Sequence, residues 1–292
     1  MKNDILTILQ TNAPSFSKGQ RLIAKYITES YDKAAFMTAS KLGKKVGVSE
    51  STVVRFAVEL GYDGYPSMQK AIQEMVLNRL TSVQRIEVAN DRFSHRDVVS
   101  MVLQADSDKL RQTGEMLDRD QFQGAVEAIL DTDRVYILGV RSAAPLANFL
   151  GYYLNYMSPN IHVVTTSGEG EVFERIVGIR PNDVVVAISF PRYSSATVKA
   201  AQFCNSAGAK VIALTDRKLS PVGQYADFVL EAKSDMVSLV DSLVAPMSVI
   251  NALIVAIASR REQRLATIFT ALEEVWDQFH VYEKQEDIDV VR

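Results

Sequence analysis

Residues 38–61 read TASKLGKKVGVSESTVVRFAVELG, and this stretch predicts two short helices joined by a tight turn. In the first helix Ala39, Leu42 and Val46 lie at positions i, i+3 and i+7, so that they form an apolar stripe at helical spacing. Gly47 follows, and glycine is the residue that most readily adopts the backbone conformation of a sharp turn. The break between the two helices is therefore expected at Gly47 and Val48.

The second helix of this pair is expected to begin after Ser49, because a serine side chain caps the free N–H groups of a first helical turn. Its inward side is apolar: Val53, Phe56, Ala57 and Leu60. Its outward side is mainly polar: Ser51, Thr52, Arg55 and Glu59. Two such helices occur both in helix-turn-helix domains, whose second helix enters the major groove of DNA, and in plain helical bundles, and this pattern alone leaves both interpretations open.

If the second helix enters a groove, its outward side and the preceding helix have separate roles. Arg55 is the best candidate for a contact to guanine, with Ser49, Ser51 and Thr52 beside it. Lys41, Lys44 and Lys45 on the first helix would contact phosphates, which set affinity rather than sequence preference. A solvated helix face would explain these lysines equally well.

The charge of the chain is distributed unevenly. A net charge of −3 over 292 residues argues against nucleic acid as a partner of the whole surface. The first 80 residues, however, carry 11 Lys and Arg against 7 Asp and Glu, and the rest carry 21 against 28. A basic head on an acidic body fits DNA binding at one end of the chain.

Composition indicates an ordinary globular protein, with 47% hydrophobic and 23% charged residues. Cys204 is the only cysteine, which excludes a disulfide framework and a cysteine-rich zinc site and favours the cytoplasm. The apolar run from Ser238 to Ala258 is interrupted by Asp241, Pro246 and Asn251, so we predict a buried helix and no membrane span.

The second half of the chain alternates apolar runs with amphipathic segments. RVYILGV, IHVVTT, DVVVAIS, KVIALTD and ADFVLEA are five candidate strands between residues 134 and 232. Because both faces of these runs are apolar, they predict a doubly wound five-stranded parallel sheet covered by helices on both sides. The predicted fold is thus α/β with a separate all-α domain: a helix-turn-helix bundle over 1–80, a linker and connecting helix over 81–110, and the sheet domain over 111–292.

Two predicted strands end in loops that are rich in polar groups. The first loop offers Gly139, Arg141 and Ser142. The second offers a larger set: Ser189, Arg192, Tyr193, Ser194, Ser195 and Thr197. Hydroxyls, guanidinium groups and helix N–H groups at the carboxyl end of a parallel sheet form an anion site suited to a phosphate or carboxylate. The competing interpretation is that the serines only cap a helix and that Arg192 is solvated.

These features together resemble a known family. Residues 1–80, with the segment VSESTVVRFAVELGYDGYPSMQ, resemble the helix-turn-helix domain of RpiR-type transcriptional regulators, and residues 134–232 resemble the sugar isomerase (SIS) domain. The resemblance implies a regulator, dimeric or tetrameric, whose affinity for DNA is set by a sugar phosphate or a related anionic metabolite. A homodimer would match a palindromic operator.

The first loop agrees with the family pattern, and the second departs from it. The family's glycine-rich first loop, which ends in serine, matches Gly139 and Ser142. Its second loop usually reads Ser-x-Ser-Gly-x-Thr, and here Ser189 and Ser194 retain hydroxyls at the two ends. Pro191 and Arg192 replace the inner serine and the glycine, which removes one hydroxyl and adds a fixed cation. In the loop after the fourth strand, the resemblance makes Thr215 and Ser220 candidate rim residues.

An SIS-type sugar-phosphate isomerase with a helical N-terminal extension is the alternative function. Isomerisation needs a base beside the reacting carbon, and the histidines are only His95, His162 and His280. Glu169, Glu171 and Glu174 follow the second strand, where a solvated helix start explains them as well. We therefore predict no catalytic residues, no metal and no cofactor.

A metabolite-binding adaptor that does not bind DNA is a third hypothesis for the function of the chain. The sign of regulation, repression or activation, is not readable. The apolar residues Leu239, Leu243, Met247, Ile250 and Leu253 are predicted subunit contacts.

Overall fold

The computed structural model describes residues 5–79, 97–158, 160–166, 168–234 and 240–282. Within these residues the chain divides into two compact units, the first running to Ala105 and the second beginning at Asp106, with residues 240–242 grouped with the first. The predicted linker over 81–95 lies outside the described residues. The predicted domain boundaries at residues 80 and 110 stay predictions.

The first unit is all-helical, as the sequence predicts. Between residues 5 and 79 the structure describes six helices: α1 Ile5–Asn12, α2 Lys18–Glu29, α3 Tyr31–Ala34, α4 Ala39–Val46, α5 Glu50–Glu59 and α6 Tyr65–Arg79. Ser17 caps α2, since its Oγ accepts a hydrogen bond from the backbone N–H of Gln20 at 3.4 Å. The side-chain oxygen of Gln20 in turn accepts a hydrogen bond from the backbone N–H of Ser17 at 2.8 Å, which completes a capping box.

The core of the first unit forms around α5. Phe56 is fully buried and meets the ring of Phe16 edge-to-face at 5.2 Å between centroids. Val53 and Ala57 are also fully buried, whereas Leu60 is only partly so. Four residues of α6 complete this core on the side that their spacing predicts: Met68, Ile72, Met75 and Val76. One face of α5 is thereby committed to packing.

The turn between α4 and α5 depends on two glycines for different reasons. Gly47 ends α4 with φ of 78°, the left-handed conformation that glycine adopts without strain. Gly43 lies against the turn itself, where an added Cβ would be 2.8 Å from the carbonyl oxygen of Val48. The close approach of α4 to the start of α5 therefore requires glycine at position 43.

The second unit is a five-stranded parallel sheet covered by helices, which confirms the predicted fold class. Helices α7 Val98–Met116 and α8 Arg119–Leu130 precede it. The sheet and its connections then follow in chain order: β1 Val135–Leu138, α9 Ala144–Met157, β2 Ile161–Val164, α10 Glu169–Ile176, β3 Val184–Ile188, α11 Ser195–Ser206, β4 Lys210–Thr215 and β5 Phe228–Glu231. The strand order is β2-β1-β3-β4-β5, with Leu138 of β1 opposite Ala187 of β3.

Both faces of the sheet are buried, which explains why its strands are apolar throughout. All five residues of β3 are buried. Val184 and Val186 face a cluster that includes Ile129 of α8 and Leu150 of α9. The intervening Val185 faces the other cluster, to which α10 and α11 contribute.

Two further helices, α12 Val244–Arg260 and α13 Glu262–Gln278, end the described chain. The sequence predicts a buried helix within the apolar run from Ser238 to Ala258, and the helix found there begins at Val244. The prediction that Ile250 and Leu253 make subunit contacts is wrong, because both are buried in the sheet core of their own chain. Leu239 lies outside the described residues.

Among the helices that the structure describes, none alone is long and apolar enough to cross a bilayer. Only α12 and α13 together satisfy length and composition, and they are bent by 96° at their junction.

Candidate functional site

The start of α5 is organised by a cluster of three hydroxyls. Ser49 is the N-cap, as predicted, and its Oγ accepts a hydrogen bond from the backbone N–H of Thr52 at 3.2 Å. The same oxygen lies 2.8 Å from the hydroxyls of both Ser51 and Thr52. Ser49 therefore shapes the first turn, while Ser51 is exposed beside it.

Arg55 follows one turn later on the outward side of α5. It is exposed, and its Nε donates to the backbone carbonyl of Ser51 at 3.3 Å, which directs the side chain back over the first turn. Glu59, also predicted to face outward, instead accepts a hydrogen bond from the side chain of Gln20. This contact ties α5 to α2.

Two residues of the outward side were missed by the sequence interpretation. Val54 is 38% exposed and Val58 is 55% exposed, although both are large and apolar. Their spacing from Ser51, i+3 and i+7, is a signal that could have revealed them, because it continues the stripe that Ser51 and Arg55 begin.

The three lysines of α4 lie at the surface, where they could either contact phosphates or form a solvated helix face. Lys41, Lys44 and Lys45 are all exposed. Lys44 and Lys45 lie in the last turn of α4, and no acidic residue occupies its first turn. This unit thus combines a helix pair with an outward polar side and a neighbouring basic helix.

The second candidate site lies at the carboxyl ends of β1 and β3. The chain leaves β1 toward β2 on one side and resumes with β3 on the other, so that the order of strands reverses between these two neighbours. Open parallel sheets bind ligands at such a switch point. Both polar loops identified in the sequence emerge here.

Gly139 closes the first loop by allowing a close approach rather than a sharp turn. An added Cβ would lie 2.9 Å from the carbonyl oxygen of Ala143 and 2.9 Å from the Cβ of Ala147. Arg141 and Ser142 follow in a single 3-10 turn, and both side chains are exposed.

Arginine occupies a left-handed backbone conformation in each of the two loops. Arg141 has φ of 57° and Arg192 has φ of 61°. This conformation disfavours residues with a Cβ by about 1–2 kcal/mol. Arg192 therefore keeps the type of backbone that a glycine would adopt, while it adds an exposed cation to the loop.

The second loop is braced at both ends by its own hydroxyls. Ser189 is buried at the end of β3, and its Oγ accepts from the backbone N–H of Ser194 at 3.3 Å. Ser194 in turn caps α11 by accepting from the N–H of Thr197 at 3.4 Å. Ser195 is exposed. The hydroxyl of Thr197, which is 1% exposed, has no hydrogen-bond partner within the described residues.

Tyr193 connects this loop to the neighbouring strand. Its hydroxyl donates to Asp216 Oδ1 at 2.7 Å, and Thr215 donates to the same oxygen at 3.2 Å. Burial, followed by the nearby Asp216 carboxylate, raises the pKa of Tyr193 well above its usual range. Tyr193 is thus a neutral donor. Asp216 was missed by the sequence interpretation, although it directly follows the apolar run of β4.

Several other candidate residues near this edge have local partners, whereas Glu174 is simply exposed on α10. Glu169 is paired with Lys199 at 2.7 Å, and Glu171 accepts from the hydroxyl of Thr166. Thr215 and Ser220 are buried. Ser220 Oγ accepts from the N–H of Gly223 at 3.1 Å, so it stabilises the turn after β4.

The opposite, amino-terminal edge of the sheet carries a bidentate ion pair. Arg134 donates from Nε and from a terminal nitrogen to the carboxylate of Asp183, at 2.8 and 2.6 Å. The pKa of Arg134 is raised by these hydrogen bonds. The pair joins the starts of β1 and β3 and lies at the edge opposite to the polar loops that follow β1 and β3.

Neither of the two described histidines belongs to the polar loops that follow β1 and β3. His162, the second residue of β2, stacks on the ring of Tyr136 at 4.8 Å. His280 is exposed after the end of α13. His95 lies outside the described residues. Across the described ranges, no group of three or more His, Cys, Asp and Glu could hold a metal ion.

The first unit has the architecture of a helix-turn-helix domain, and the second is a parallel sheet with polar loops at its carboxyl edge. Together they are typical of a transcriptional regulator with a sugar isomerase domain. Comparison with known families supports this class. The family model for the helix-turn-helix domain of the rpiR family matches residues 3–78. The model of the SIS domain matches residues 128–256.

The chain belongs to the RpiR family of transcriptional regulators. It is 30% identical to the sugar isomerase domain of an RpiR transcription factor from Sphaerobacter thermophilus, covering 61% of this chain and 99% of that one, with a TM-score of 0.59. It is 25% identical to an uncharacterised helix-turn-helix regulator of Clostridium perfringens, over 76% of this chain and 79% of that protein.

A further likeness extends over nearly the whole chain. The structure of the Vibrio vulnificus NanR protein complexed with ManNAc-6P covers 94% of this chain and 98% of its own, with a TM-score of 0.58. At 20% identity this likeness concerns the fold.

Proposed function

We propose that this regulator reads its operator with α5 and that an anionic metabolite, of the sugar-phosphate class, modulates operator binding from the β1/β3 edge. The observation that carries the proposal is the division of α5 into a fully buried side and an outward side that holds Ser51 and Arg55. A helix packed in this way presents its outward side to the major groove.

Arg55 is the proposed reader of guanine, since a guanidinium matches the two acceptors of guanine in the major groove. Ser51 and Thr52 lie one turn earlier, where short hydroxyl side chains reach base edges or phosphates. Ser49 acts mainly through the cap. The exposed Lys41, Lys44 and Lys45 would neutralise phosphates, so they govern the dependence of affinity on salt.

The proposed effector is anionic because the groups at the β1/β3 edge are donors or cations. Arg141, Ser142, Arg192 and Ser195 are exposed there. A sugar phosphate is the class supported by the SIS domain and by the relative NanR, which is complexed with ManNAc-6P. Pro191 and Arg192 stand where an inner serine and a glycine are usual, so we expect an altered pose of the phosphate.

We propose binding without turnover. Isomerisation requires a base at the reacting carbon. Of the described residues near the edge, Glu169 is paired with Lys199, Glu171 bonds Thr166, and Asp216 accepts from Tyr193. His162 is stacked on Tyr136 within the sheet. Each of these groups already has a structural partner.

We also propose a homodimer that binds a palindromic operator in the cytoplasm. None of the 17 residues of α13 is buried, although many are apolar: Leu265, Ile268, Phe269, Leu272, Val275 and Trp276. Tyr152 and Tyr153 of α9 are exposed as well. Clustered apolar side chains on a surface mark protein interfaces, and a second copy would pair two reading heads with two half-sites.

Operator binding is tested by fluorescence anisotropy with the full-length chain and DNA from upstream of its own gene. Arg55→Ala is expected to weaken binding about 5- to 150-fold, equivalent to roughly 1–3 kcal/mol, and to relax base preference at one position of each half-site. Arg111→Ala is the matched control, because Arg111 is an exposed arginine of α7 that pairs with Glu115 one turn away.

The two variants separate the possible results. An unchanged affinity in Arg55→Ala, or equal losses in Arg55→Ala and Arg111→Ala, would contradict the proposed role of α5. Binding that ignores salt concentration would contradict DNA binding by the basic head altogether.

A further inference from the structure

The outward side of α5 contains two apolar side chains, and the proposed contacts of Ser51 and Arg55 with DNA assign them no role. Ser51, Val54, Arg55 and Val58 lie at positions i, i+3, i+4 and i+7, so they form one continuous stripe along the helix. The two valines are 38% and 55% exposed. Two of the four residues in this stripe are therefore aliphatic.

These valines lie outside the buried core of the first unit. Val53, Phe56 and Ala57 supply the buried side of α5 and are fully enclosed. Valine also has a lower helix propensity than most residues, because its branched side chain loses rotamer freedom in a helix. Single exposed apolar residues are ordinary, but here two of them flank Arg55 on the reading surface.

The major groove offers one apolar group on its base edges, the C5-methyl group of thymine. At about 1.5 Å rise per residue, the stripe from Ser51 to Val58 is roughly 10 Å long. With base pairs about 3.4 Å apart, that length spans about three base steps. The stripe is thus long enough for a polar contact by Arg55 with an apolar contact next to it.

We propose that Val54 and Val58 read thymine methyl groups in bases adjacent to the one that Arg55 contacts. The inference rests on the proposed entry of α5 into the groove. It names the base chemistry that the operator must contain: a methyl-bearing base within about three steps of the arginine-bound base. A protein partner on this stripe is the competing occupant, and it would exclude DNA from the same face.

Replacing thymine by uracil tests the inference, since uracil lacks only the methyl group. The full-length chain first selects its preferred duplex from a pool of random sequence. That duplex is then made with uracil in place of each thymine in turn. Loss of one methyl contact is expected to weaken binding about 4-fold, the factor equivalent to about 0.8 kcal/mol.

The valine variants identify which side chain reads which methyl. Val54→Ala is expected to bind the thymine duplex more weakly, and at one position the replacement of thymine by uracil should no longer lower its affinity. Val58→Ala should show the same two effects, with the insensitive thymine at a different position. Val177→Ala is the matched control: Val177 is 72% exposed, lies in the other unit, and should retain full sensitivity to uracil. Because both valines of α5 are exposed, alanine should leave the fold intact, which circular dichroism verifies.

Two results would overturn the inference while the proposed function stands. One is equal affinity for thymine and uracil duplexes. The other is full sensitivity to uracil in both Val54→Ala and Val58→Ala. If the selection yields no preferred sequence, the proposed function itself fails, which is a different result from either of these.

Discussion

At the scale of single residues, Ser189 is the side chain on which the ligand loop depends most directly. It is buried at the end of β3, and its Oγ accepts a hydrogen bond from the backbone N–H of Ser194, the N-cap of α11. Removal of this hydroxyl leaves that N–H without its acceptor and loosens the loop between the strand and the helix. A buried donor without a partner destabilises by roughly 1–3 kcal/mol.

Thermal unfolding in the presence of sugar phosphates measures the contribution of Ser189 to ligand binding. A panel of hexose and hexosamine 6-phosphates is used. For a ligand present at 100 times its Kd, stabilisation is about 2.7 kcal/mol, which raises Tm by roughly 5–10 °C in the wild type. Ser189→Ala is expected to lose most of this rise.

A second hydroxyl serves as the control for that experiment. Thr132 Oγ1 also bonds the backbone, donating to the carbonyl of Asn182 at 2.7 Å, but at the opposite edge of the sheet. Thr132→Ala should lower Tm without ligand and retain the full ligand-induced rise. If no member of the panel raises Tm, the proposed effector class is wrong.

At the scale of elements, the turn between α4 and α5 sets the angle at which α5 is presented. Gly43 and Gly47 both support it, and alanine at each position should have a different effect. A Cβ at Gly43 would lie 2.8 Å from the carbonyl oxygen of Val48, so the start of α5 must move. A Cβ at Gly47 has no atom within 4 Å, and only the left-handed φ of 78° opposes it.

Gly43→Ala is therefore expected to weaken operator binding at least tenfold and to destabilise the first unit by roughly 1–3 kcal/mol. Gly47→Ala should destabilise by about 1 kcal/mol and largely retain affinity, because the helices keep their positions. Urea denaturation and DNA anisotropy provide the two measurements. Gly114→Ala, in α7 with no atom within 4 Å, controls for the added methyl group.

At the scale of the whole molecule, the open surface of α13 leads to a prediction about assembly. The ring of Phe269 lies 5.1 Å from that of Tyr156 and 6.4 Å from that of Trp276, so it joins the aromatic residues of α9 and α13. Phe269→Asp places a charge in this group. In light scattering at micromolar concentration, its mass should fall from that of a dimer to that of one chain.

Phe269→Asp should also bind the operator more weakly, because a monomer contacts one half-site and loses the gain in affinity from binding two linked half-sites. Val177→Asp is the control, since it adds the same charge at an exposed valine of the same unit. A wild-type chain that is monomeric at the concentrations used would contradict the proposed homodimer. A dimer retained in Phe269→Asp would exclude α13 as its interface.

The features that the sequence predicts correctly depend on residues that are close together in the chain. Ser49 before an apolar helical stripe predicts the cap of α5, and the structure confirms it, because a capping bond joins residues three apart. The five apolar runs predict five strands of a parallel sheet, since only a sheet buried on both faces allows such runs. The loop residues at the strand ends follow from the same reasoning.

Contacts between residues distant in sequence could not be predicted in this way. The bond of Tyr193 to Asp216 depends on β3 and β4 being neighbours, and the pair of Arg134 and Asp183 depends on β1 lying beside β3. Ile250 and Leu253 show the same limit: apolar helical spacing indicates a buried side but not which surface covers it.

By itself, the sequence determined the two folds, the cap and inward side of α5, the basic character of α4, and the polar loops after β1 and β3. Only the tertiary structure decided the strand order that brings those loops together, the left-handed backbone of Arg141 and Arg192, and the exposure of Val54 and Val58. The physical reason is that helix and strand periodicity is local, whereas strand order, burial and exposure depend on how distant segments pack against one another.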